Sequence, residues 1–515
     1  MSSDEFRTYN AAQDLLGRHS RLGTRDKTAI IDSNGSYTYA DVEKRVNQFA
    51  NLLVESGIQM EQRVLLCLVD TVDLVTCFLG AIKAGTVPIP VNTLLKSADY
   101  KFMLADSRAR CLVVSDHLLS EFTSHVKGGV YLKKVVVSGE PRSEFETLAH
   151  ELAKMSDSFE AASTGPDDVA FWLYTSGTTG RSKAVMHRQT SLIATAEHFG
   201  KHVLDLRAED TVFSPPKLFF AYGLGNSLTF PFSVGATSIL YPGRPTPDSI
   251  SEITQTHPPT VFFGVPTLYA MMLNSGKLPN LARLRLCISA GEALPAHLLE
   301  RWRKVTGLDI LDGLGSTEML NTFLSNRVDD VRPGTSGKAV PGYSLRLLND
   351  AGEEAETGEL GDLYVSGPSS AAGYWSMSEM TAATFQGRWV YTRDKYIRDA
   401  DGYYTHCGRS DDMLKVGGIY VAPAEVESAL LSHPVVAEVA VVGAKDLDEL
   451  VKPKAFVVLS SDANPGVELG KELIEFVRNR LAAYKRPRWI EFVRELPKTA
   501  TGKVQRHKLR RAGNG

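Results

Sequence analysis

Residues 171–183, FWLYTSGTTGRSK, change within a few positions from an apolar run typical of a buried strand to a polar loop that ends in a lysine. Gly177 and Gly180 allow backbone conformations in which successive N–H groups point into one concavity. The Lys183 ammonium and several hydroxyl groups can add hydrogen-bond donors to an anion held there. The hydroxyl groups belong to Thr175, Ser176, Thr178 and Thr179. The composition of this loop therefore predicts that it binds a polyphosphate.

The loop lacks the spacing of a Walker P-loop, in which the lysine directly follows the second glycine. Here Arg181 and Ser182 stand between Gly180 and Lys183. A nucleotide site of the motor or GTPase type is therefore disfavoured. A flexible surface loop is an alternative interpretation of the same residues, because loops rich in serine, threonine and glycine are common connections. Other motifs must decide between the two.

The composition excludes several classes of protein. Of 515 residues, 43% are hydrophobic and 23% charged, values ordinary for a globular protein of several domains. A net charge of -3 gives no overall attraction to nucleic acid or to an anionic membrane, so we expect neither as a partner. The 5 cysteines contain no Cys-x-x-Cys pair, which disfavours a disulfide framework and a zinc site and indicates a reducing compartment. Because neither a signal peptide nor a membrane span is evident, we expect a cytoplasmic protein, either a monomer or a homodimer.

Short apolar runs alternate with helical patterns along most of the chain, which predicts an α/β fold with several parallel strands. Residues 64–69, VLLCLV, are typical of a buried strand. Residues 38–56 have the apolar spacing of an amphipathic helix, with Thr38 as a suitable N-cap and Gly57 as a stop signal. Further strand-like runs begin at Cys111, Val135 and Leu286.

The sequence changes character after Gly408, where the polar segment RSDDMLKVGG begins. We place a domain boundary near Asp411. Residues 1–410 are predicted to form a large N-terminal domain of layered β-sheets and helices. Residues 411–515 are predicted to form a small, mobile, lid-like C-terminal α+β domain. Its pattern includes a helix from about Leu469 to Ala483.

Further motifs follow the predicted phosphate loop along the chain. They are GLGSTE at 313–318, YTRD at 391–394, GRSDD at 408–412 and PKTATGK at 497–503. With the loop itself, they resemble the adenylate-forming superfamily, which contains acyl-CoA synthetases, luciferase-like enzymes and the adenylation domains of peptide synthetases. The segments that resemble its benzoate-CoA ligase branch are YNAAQDLLGRH at 9–19, PVNTLL at 90–95 and GSTEMLNTFLSN at 315–326.

The resemblance implies an ATP- and Mg²⁺-dependent ligase that converts an aromatic carboxylic acid to an acyl-adenylate. Glu318 resembles the Mg²⁺ ligand of the family, and Thr317 resembles its donor to the α-phosphate. Lys503 resembles the catalytic lysine of adenylation. A basic tail that binds nucleic acid is the plainer interpretation of Lys503 and the arginines after it. That tail is disfavoured because no aromatic residue is present there to stack on bases.

The ribose of ATP is expected to contact Asp394 and Arg409, which resemble an acceptor and donor pair of the family, and Asp312 is assigned to the same nucleotide site. An ordinary salt bridge between strands is the alternative for Asp394 and Arg409. His187 and His406 are expected to be structural, because neither has the sequence spacing of a metal ligand.

A second half-reaction is also implied, in which coenzyme A attacks the acyl-adenylate and AMP leaves. In the family, the C-terminal domain rotates between the two steps about a hinge that matches Asp411. Lys415, Gly417 and Gly418 would then replace Lys503 and let the pantetheine arm pass close to the backbone. The alternative for the two glycines is a plain hairpin turn.

The acid pocket of the family is matched by four short segments of this sequence. Its residues here are Ala221, Tyr222, Gly223, Ala290, Gly291, Gly313, Leu314, Gly315, Asn321 and Thr322. Tyr222 and the small side chains suit a flat ring. The aspartate that amino-acid-activating relatives carry in the first segment is absent, whereas a fatty-acid tunnel stays open as an alternative.

This sequence departs from the family pattern at several positions. Ala184 stands where glycine usually follows the loop lysine, and Leu314 stands where an aromatic residue often stacks on adenine. Asn321 and Thr322 replace the His-Ile pair usual in benzoate-type ligases. Because Asn321 offers both a donor and an acceptor, we predict an amino- or hydroxybenzoate substrate, with 2-aminobenzoate as first choice. Alternatively, the two side chains face each other, which would leave benzoate preferred.

Two other functions remain open on the sequence alone. The acyl group could pass to the phosphopantetheine of a carrier protein instead of free coenzyme A. The chain could also be a non-catalytic adenylate sensor, although its catalytic motifs are intact.

Overall fold

The computed structural model describes residues 8–126, 131–141, 145–176, 182–410, 412–416, 419–446, 450–460, 463–481, 485–498 and 504–513. The strands are β1 (Thr28–Asp32), β2 (Gly35–Thr38), β3 (Arg63–Cys67), β4 (Val87–Pro90), β5 (Cys111–Ser115), β6 (Lys134–Ser138), β7 (Val169–Ser176), β8 (Ser182–Arg188), β9 (Thr211–Phe213), β10 (Thr237–Ile239), β11 (Val261–Gly264), β12 (Leu286–Ser289), β13 (Ile310–Gly315), β14 (Thr322–Ser325), β15 (Lys338–Ala339), β16 (Ser344–Leu348), β17 (Leu360–Ser366), β18 (Gly373–Tyr374), β19 (Phe385–Gln386), β20 (Trp389–Arg398), β21 (Tyr404–Arg409), β22 (Leu414–Val416), β23 (Ile419–Val421), β24 (Val436–Lys445), β25 (Val451–Leu459) and β26 (Trp489–Phe492).

The α-helices are α1 (Ala11–Leu22), α2 (Tyr39–Glu55), α3 (Val72–Lys83), α4 (Ser97–Ser107), α5 (Thr123–Val126), α6 (Leu148–Ala153), α7 (Ser191–Thr195), α8 (Ala221–Leu224), α9 (Phe230–Val234), α10 (Pro247–Thr256), α11 (Pro266–Ser275), α12 (Ala296–Thr306), α13 (Ser378–Thr384), α14 (Pro423–Leu431), α15 (Val467–Arg478) and α16 (Arg506–Gly513). A 3₁₀ turn spans Asp116–Glu121, and π-helical turns span Ala196–Lys201 and Gly225–Thr229.

Two sheets are built on parallel strands. The larger has the order β15-β14-β13-β12-β11-β9-β10-β1-β2, and its strands from β13 to β1 run parallel. The other has the order β4-β3-β5-β6 and is parallel throughout. Strands buried on both faces are expected to be apolar along their whole length, and β5 is buried at every position. The predicted α/β class with several parallel strands is confirmed.

The remaining sheets are built on antiparallel strands, except that β26 pairs parallel with β25. One sheet joins β18, β8 and β7, and another joins β16, β17, β20, β19 and β21. Toward the C-terminus, β24, β25 and β26 form a sheet whose core includes Val439, Val457, Leu473 and Val477. This smaller α+β unit follows the large N-terminal part of the fold, as predicted from the sequence.

Helix α2 forms where the apolar spacing predicts it. The Thr38 hydroxyl accepts a hydrogen bond from the backbone N–H of Asp41, whose carboxylate accepts one from the backbone N–H of Thr38, so a capping box begins the helix. After its last residues, Gly57 adopts a φ of 68°, a conformation that favours glycine. The buried face carries Phe49 and Leu53, and each such side chain stabilises the fold by roughly 1.5–3 kcal/mol.

The predicted helix near residue 469 is displaced in the structure. Helix α15 spans Val467–Arg478, with Asn479 at its C-cap, and therefore ends five residues before the predicted end at Ala483. The apolar residues at 481–483 extend the sequence pattern past the cap, which is why periodicity alone placed the end too late. The predicted hinge, Asp411, lies outside the described residues, and the domain boundary there stays a prediction.

The residue after the predicted hinge is held by two arginines of α16. The Arg510 guanidinium donates to the Asp412 carboxylate, and that of Arg506 lies 3.7 Å from it. Arg506 also donates to both carboxylate oxygens of Glu427, at 2.7 and 2.8 Å. These contacts join the start of the C-terminal unit to its last helix.

Of the described helices, none combines the length and apolarity that crossing a membrane requires. All 5 cysteines carry free thiols, and Cys67, Cys77, Cys111 and Cys287 are buried.

Candidate active site

The predicted phosphate loop joins β7 to β8, which pair antiparallel. Thr175 lies opposite Lys183 in this pairing, so the two ends of the loop are fixed by strand hydrogen bonds. Gly177, Thr178, Thr179 and Gly180 lie outside the described residues, and only the backbone of Ser176 is described. The structure thus fixes the position of Lys183, and the expected phosphate contacts of the loop stay a prediction.

Lys183, Glu318 and Tyr374 form a cluster at the base of this loop. The Lys183 ammonium lies 3.0 Å from Glu318 Oε1 and donates to the Tyr374 hydroxyl at 2.7 Å. The Tyr374 hydroxyl in turn donates to Glu318 Oε1 at 2.7 Å, and the ammonium also lies 4.1 Å from the centroid of the tyrosine ring. Burial acts to raise the pKa of Glu318, but the Lys183 charge and these hydrogen bonds outweigh it and hold the pKa below its usual value. The carboxylate is therefore ionised and oriented.

Tyr374 is a site residue that the sequence reasoning missed. It lies on β18, a strand of only Gly373 and Tyr374 that pairs with β8, and this pairing brings its ring to Lys183. The residue is 4% exposed, and burial together with the Glu318 charge raises the pKa of its hydroxyl, which stays protonated as a donor. A lone tyrosine between Gly373 and Trp375 carries no spacing that signals chemistry, so only the strand pairing reveals it.

The backbone carbonyl of Thr317 is held by His187. The Nε2 atom of the histidine lies 2.9 Å from that carbonyl, and its ring stacks on Phe171 with centroids 5.0 Å apart. Because His187 is fully buried, its pKa falls to about 4, so the ring is neutral and donates from Nε2. This contact positions the residue next to Glu318, in keeping with the expected structural role of the histidine.

Asp394 and Arg409 face each other across paired strands β20 and β21. The Arg409 guanidinium lies 3.4 Å from Asp394 Oδ1, and His406 Nε2 lies 3.6 Å from the same oxygen. Arg393, directly before the aspartate, adopts a φ of 64°, which is uncommon for a residue with a side chain. The structure brings the two predicted ribose ligands together, and an ordinary salt bridge would have the same geometry.

Asp312 lies at the end of the parallel part of β13 and is 4% exposed. Burial raises the pKa of its carboxyl well above the usual value, which favours the neutral acid. Its Oδ2 is 3.5 Å from the backbone nitrogen of Leu294, whereas Oδ1 has no hydrogen-bond partner within the described residues. A buried polar atom without a partner suits a ligand that supplies one.

The predicted acid-pocket residues converge near the carboxyl ends of β12 and β13. Ala290 and Gly291 follow β12 directly, and Gly313 lies on β13 beside them. Ligands of open parallel sheets bind at such strand ends. Tyr222, at the start of α8, contacts Phe263 edge-on with centroids 6.1 Å apart, and its hydroxyl donates to the Gly264 carbonyl at 3.3 Å.

Several positions of this pocket require glycine for a steric reason that the sequence did not reveal. A Cβ on Gly223 would lie 2.0 Å from the Lys217 carbonyl oxygen, and one on Gly315 would lie 2.7 Å from the Asn321 carbonyl oxygen. A Cβ on Gly313 would lie 2.8 Å from the Leu324 carbonyl oxygen. These glycines permit close backbone approach, so the expectation that they merely make room for a flat ring is incomplete.

Asn321 and Thr322 do not offer free polar groups, contrary to the expectation that they recognise a ring substituent. Asn321 Oδ1 accepts hydrogen bonds from the Thr322 backbone N–H at 2.7 Å and from its hydroxyl at 3.0 Å. The Asn321 amide nitrogen donates to the carbonyl of Ala221 at 3.1 Å. Side-chain direction could not be read from the sequence, and it decides this point.

The remaining predicted residues belong to the C-terminal part of the chain. Asp411, Gly417, Gly418 and Lys503 lie outside the described residues, and only the backbone of Lys415, on β22, is described. Their expected roles in hinge motion, coenzyme A binding and catalysis stay predictions. Leu314, between two glycines on β13, is partly buried.

The sequence and the fold match known proteins over almost their whole length. Residues 18–375 match the AMP-binding enzyme family, and residues 425–503 match the AMP-binding enzyme C-terminal domain. A benzoate–CoA ligase of Thauera aromatica is 54% identical over 508 residues, which cover 98% of this chain and 96% of the relative.

Two crystal structures are also similar. A benzoate CoA ligase from Burkholderia xenovorans LB400 has a TM-score of 0.91 and 47% identity, covering 98% of this chain and 100% of that one. The anthranilate CoA ligase AuaEII, in complex with anthranoyl-AMP, has a TM-score of 0.94 and 42% identity, covering 100% and 99%. The chain therefore belongs to the AMP-binding enzyme family, in the benzoate–CoA ligase branch of the adenylate-forming superfamily, and is an AMP-forming acid–CoA ligase.

Proposed function

We propose that this protein joins a benzoate-type acid to coenzyme A at the expense of ATP. In the first step, a carboxylate oxygen of the acid attacks the α-phosphorus, the bond to the β-phosphate breaks, and pyrophosphate leaves. In the second step, the thiol sulfur of coenzyme A attacks the acyl carbon and AMP leaves. The observation that carries the proposal is the Lys183–Glu318–Tyr374 cluster at the base of the loop between β7 and β8.

Adenylation gathers negative charge on the attacking oxygen, the α-phosphate and the departing pyrophosphate, so cations and donors must be aimed at these atoms. Lys183 is assigned to the phosphates, and the Thr317 hydroxyl is assigned to the α-phosphate. Glu318 offers an ionised carboxylate oxygen, the kind of ligand that Mg²⁺ prefers, and this fits a metal held against the phosphates. Mg²⁺, when bound, neutralises phosphate charge.

The nucleoside is assigned to three described residues. Asp394 and Arg409 would bind the ribose hydroxyls as acceptor and donor, since their facing groups already lie 3.4 Å apart. Asp312, with its buried oxygen that lacks a partner, would bind the base.

The C-terminal residues complete the proposal. Lys503 is assigned to the transition state of adenylation, and Asp411 is assigned as the hinge between domains 1–410 and 411–515. After rotation about this hinge, the face formed by Lys415, Gly417 and Gly418 would guide the pantetheine arm. The support for these roles is the order and spacing of the family motifs.

Benzoate is our first choice of acid, with 2-aminobenzoate as the second. The mutual hydrogen bonds of Asn321 and Thr322 leave no free polar group at the position first expected to bind a substituent, which favours an unsubstituted ring. The likeness to the anthranilate CoA ligase supports the second candidate. The five free thiols support a cytoplasmic, reducing location, and the oligomeric state is proposed to be monomer or dimer.

The test is a screen of pyrophosphate release with benzoate, aminobenzoates, hydroxybenzoates and fatty acids, followed by AMP release on addition of coenzyme A. We expect release with benzoate-type acids and AMP only with free coenzyme A. Pyrophosphate release with fatty acids alone would instead indicate a fatty-acyl-CoA synthetase. AMP release only with a phosphopantetheinyl carrier protein would indicate an enzyme that loads such a carrier.

A further inference from the structure

We infer that Asn321 determines acid specificity indirectly, as a positioning residue that holds the backbone of the acid-pocket wall at Ala221 and Tyr222. This inference rests on the proposed function and deepens it. It replaces the direct contact with a ring substituent that the sequence suggested.

The hydrogen-bonding capacity of the Asn321 side chain is fully used within the protein. Its amide nitrogen donates to the carbonyls of Ala221, at 3.1 Å, and Tyr222, at 3.5 Å, which are about a hundred residues earlier in the chain. Its Oδ1 accepts the two hydrogen bonds from Thr322. An asparagine has two donors and two acceptor positions, so nothing is left to bind a substrate group. The side chain is 3% exposed.

The backbone that Asn321 holds is an irregular helical segment. Helix α8 covers only Ala221–Leu224 and passes directly into the π-helical turn Gly225–Thr229. The backbone N–H of Gly225 lies within hydrogen-bond reach of both carbonyls, as the i−4 partner of Ala221 and the i−3 partner of Tyr222. Asn321 supplies the additional donor. Short π-helical turns are frequent at functional sites because they displace the residues beside them.

Gly225 is the steric counterpart of Asn321. A Cβ added to Gly225 would lie 2.1 Å from the Asn321 amide nitrogen and 2.8 Å from the ring of Phe230. The amide nitrogen therefore fits against the helix only because position 225 has no side chain. The two residues form one unit that holds the backbone of this wall in position.

Direct and indirect roles of Asn321 would affect different acids. A hydrogen bond from Asn321 to a ring substituent would matter only for acids that carry one, and benzoate carries none. A wall held in place through its backbone affects every acid that packs against Ala221 and Tyr222. Benzoate is therefore the diagnostic substrate.

The experiment compares the parent with Asn321→Leu, which keeps the branched shape but removes the donors, and with the smaller Asn321→Ala. We expect the KM for benzoate to rise about tenfold or more in both, because two carbonyls lose the side-chain donor that Asn321 adds and the wall moves. The KM for ATP should be unchanged. The preference for benzoate over 2-aminobenzoate and 4-hydroxybenzoate should narrow. Because replacing a buried asparagine also lowers the stability of the fold, the matched control is Asn47→Leu. Asn47 is also buried and donates to a carbonyl, that of Asp157 at 2.8 Å, but lies away from the pocket. It should lower the thermal midpoint without changing the KM for any acid.

A double-mutant cycle adds an independent measure. Gly225→Ala alone should raise the KM for benzoate. In the double variant with Asn321→Ala, the fold-increase in this KM should be smaller than the product of the two single increases, because no Asn321 amide is left to collide with the new Cβ. If the KM for benzoate is unchanged in the Asn321 variants and only substituted acids lose activity, the positioning role of Asn321 is wrong, whereas the proposed function stands. No pyrophosphate release by the parent with any aryl acid would overturn the proposed function as well.

Discussion

The Lys183 ammonium and the Glu318 carboxylate, 135 residues apart in sequence, lie 3.0 Å from each other, and the Tyr374 hydroxyl contacts both. The pair is thus held together by groups of the protein itself. Its two charges neutralise each other in the buried site, which avoids the cost of an isolated buried ion. Binding of a metal–phosphate complex would then exchange one ion pair for two, since Lys183 would turn to phosphate and Glu318 to the metal.

Tyr374→Phe removes only the hydroxyl that orients both charges. We expect the KM for ATP to rise about tenfold, because hydrogen bonds to charged groups contribute about 1.5–3 kcal/mol. The KM for ATP is measured from the rate of pyrophosphate release at varied ATP concentrations. Tyr100→Phe is the control, since it removes a similar hydroxyl that donates to the Asn92 carbonyl at 2.8 Å. Equal KM values for ATP in the two variants would contradict the positioning role of Tyr374.

Lys503→Ala should slow the first half-reaction and leave the second one intact. Removal of a donor aimed at the transition state slows a reaction by about a hundredfold to a thousandfold, and we expect this loss in adenylation only. Thioester formation from supplied acyl-adenylate should persist. Pyrophosphate release and AMP release measure the two steps separately. Lys498→Ala, which removes a surface ion pair with Glu438, is the control and should change neither. Equal losses in both steps would remove Lys503 from its assigned role.

Gly315→Ala should destabilise the protein. The added Cβ would lie 2.7 Å from the Asn321 carbonyl oxygen and 2.8 Å from its carbon, and neither backbone atom can move without shifting β14. Such overpacking costs about 1–3 kcal/mol, so the thermal midpoint should fall. Gly470→Ala, on α15, is the matched control. Its Cβ would be 3.8 Å from the nearest atom, and helix propensity predicts a stabilisation of up to about 1 kcal/mol. A Gly315→Ala protein as stable as the parent would show that the strand pair is less rigid than described.

His187 should make stability depend on pH. Burial lowers its pKa to about 4 in the folded protein, whereas the unfolded chain has a value near 6.5. Between these values the unfolded state binds more protons, so the parent loses stability as pH falls from about 6.5 to 4, by about 3 kcal/mol for this one group. His187→Gln should flatten this part of the curve of thermal midpoint against pH. An unchanged slope would show that the imidazole is not held neutral.

Local patterns in the sequence predicted the helices and strands well where each signal is contained in one element. The cap at Thr38 and the stop at Gly57 placed α2 correctly, and the run from Cys111 placed β5. The contacts within the candidate active site were harder to predict from the sequence. Tyr374 reaches Lys183 only because β18 pairs with β8, and pairing between distant segments leaves no local pattern. The polar groups of Asn321 were recognised, but their direction depends on α8, about a hundred residues away.

The ion pairs between Asp412 and the arginines of α16 bear on how the protein is engineered. Any truncation that removes Arg506 and Arg510 takes both counterions from the residue next to the proposed hinge, and Glu427 loses its partner as well. Shortening the chain at this end would thus alter the joint itself. Affinity tags and fusion partners are better placed before α1, which has no contact of this kind with Asp412.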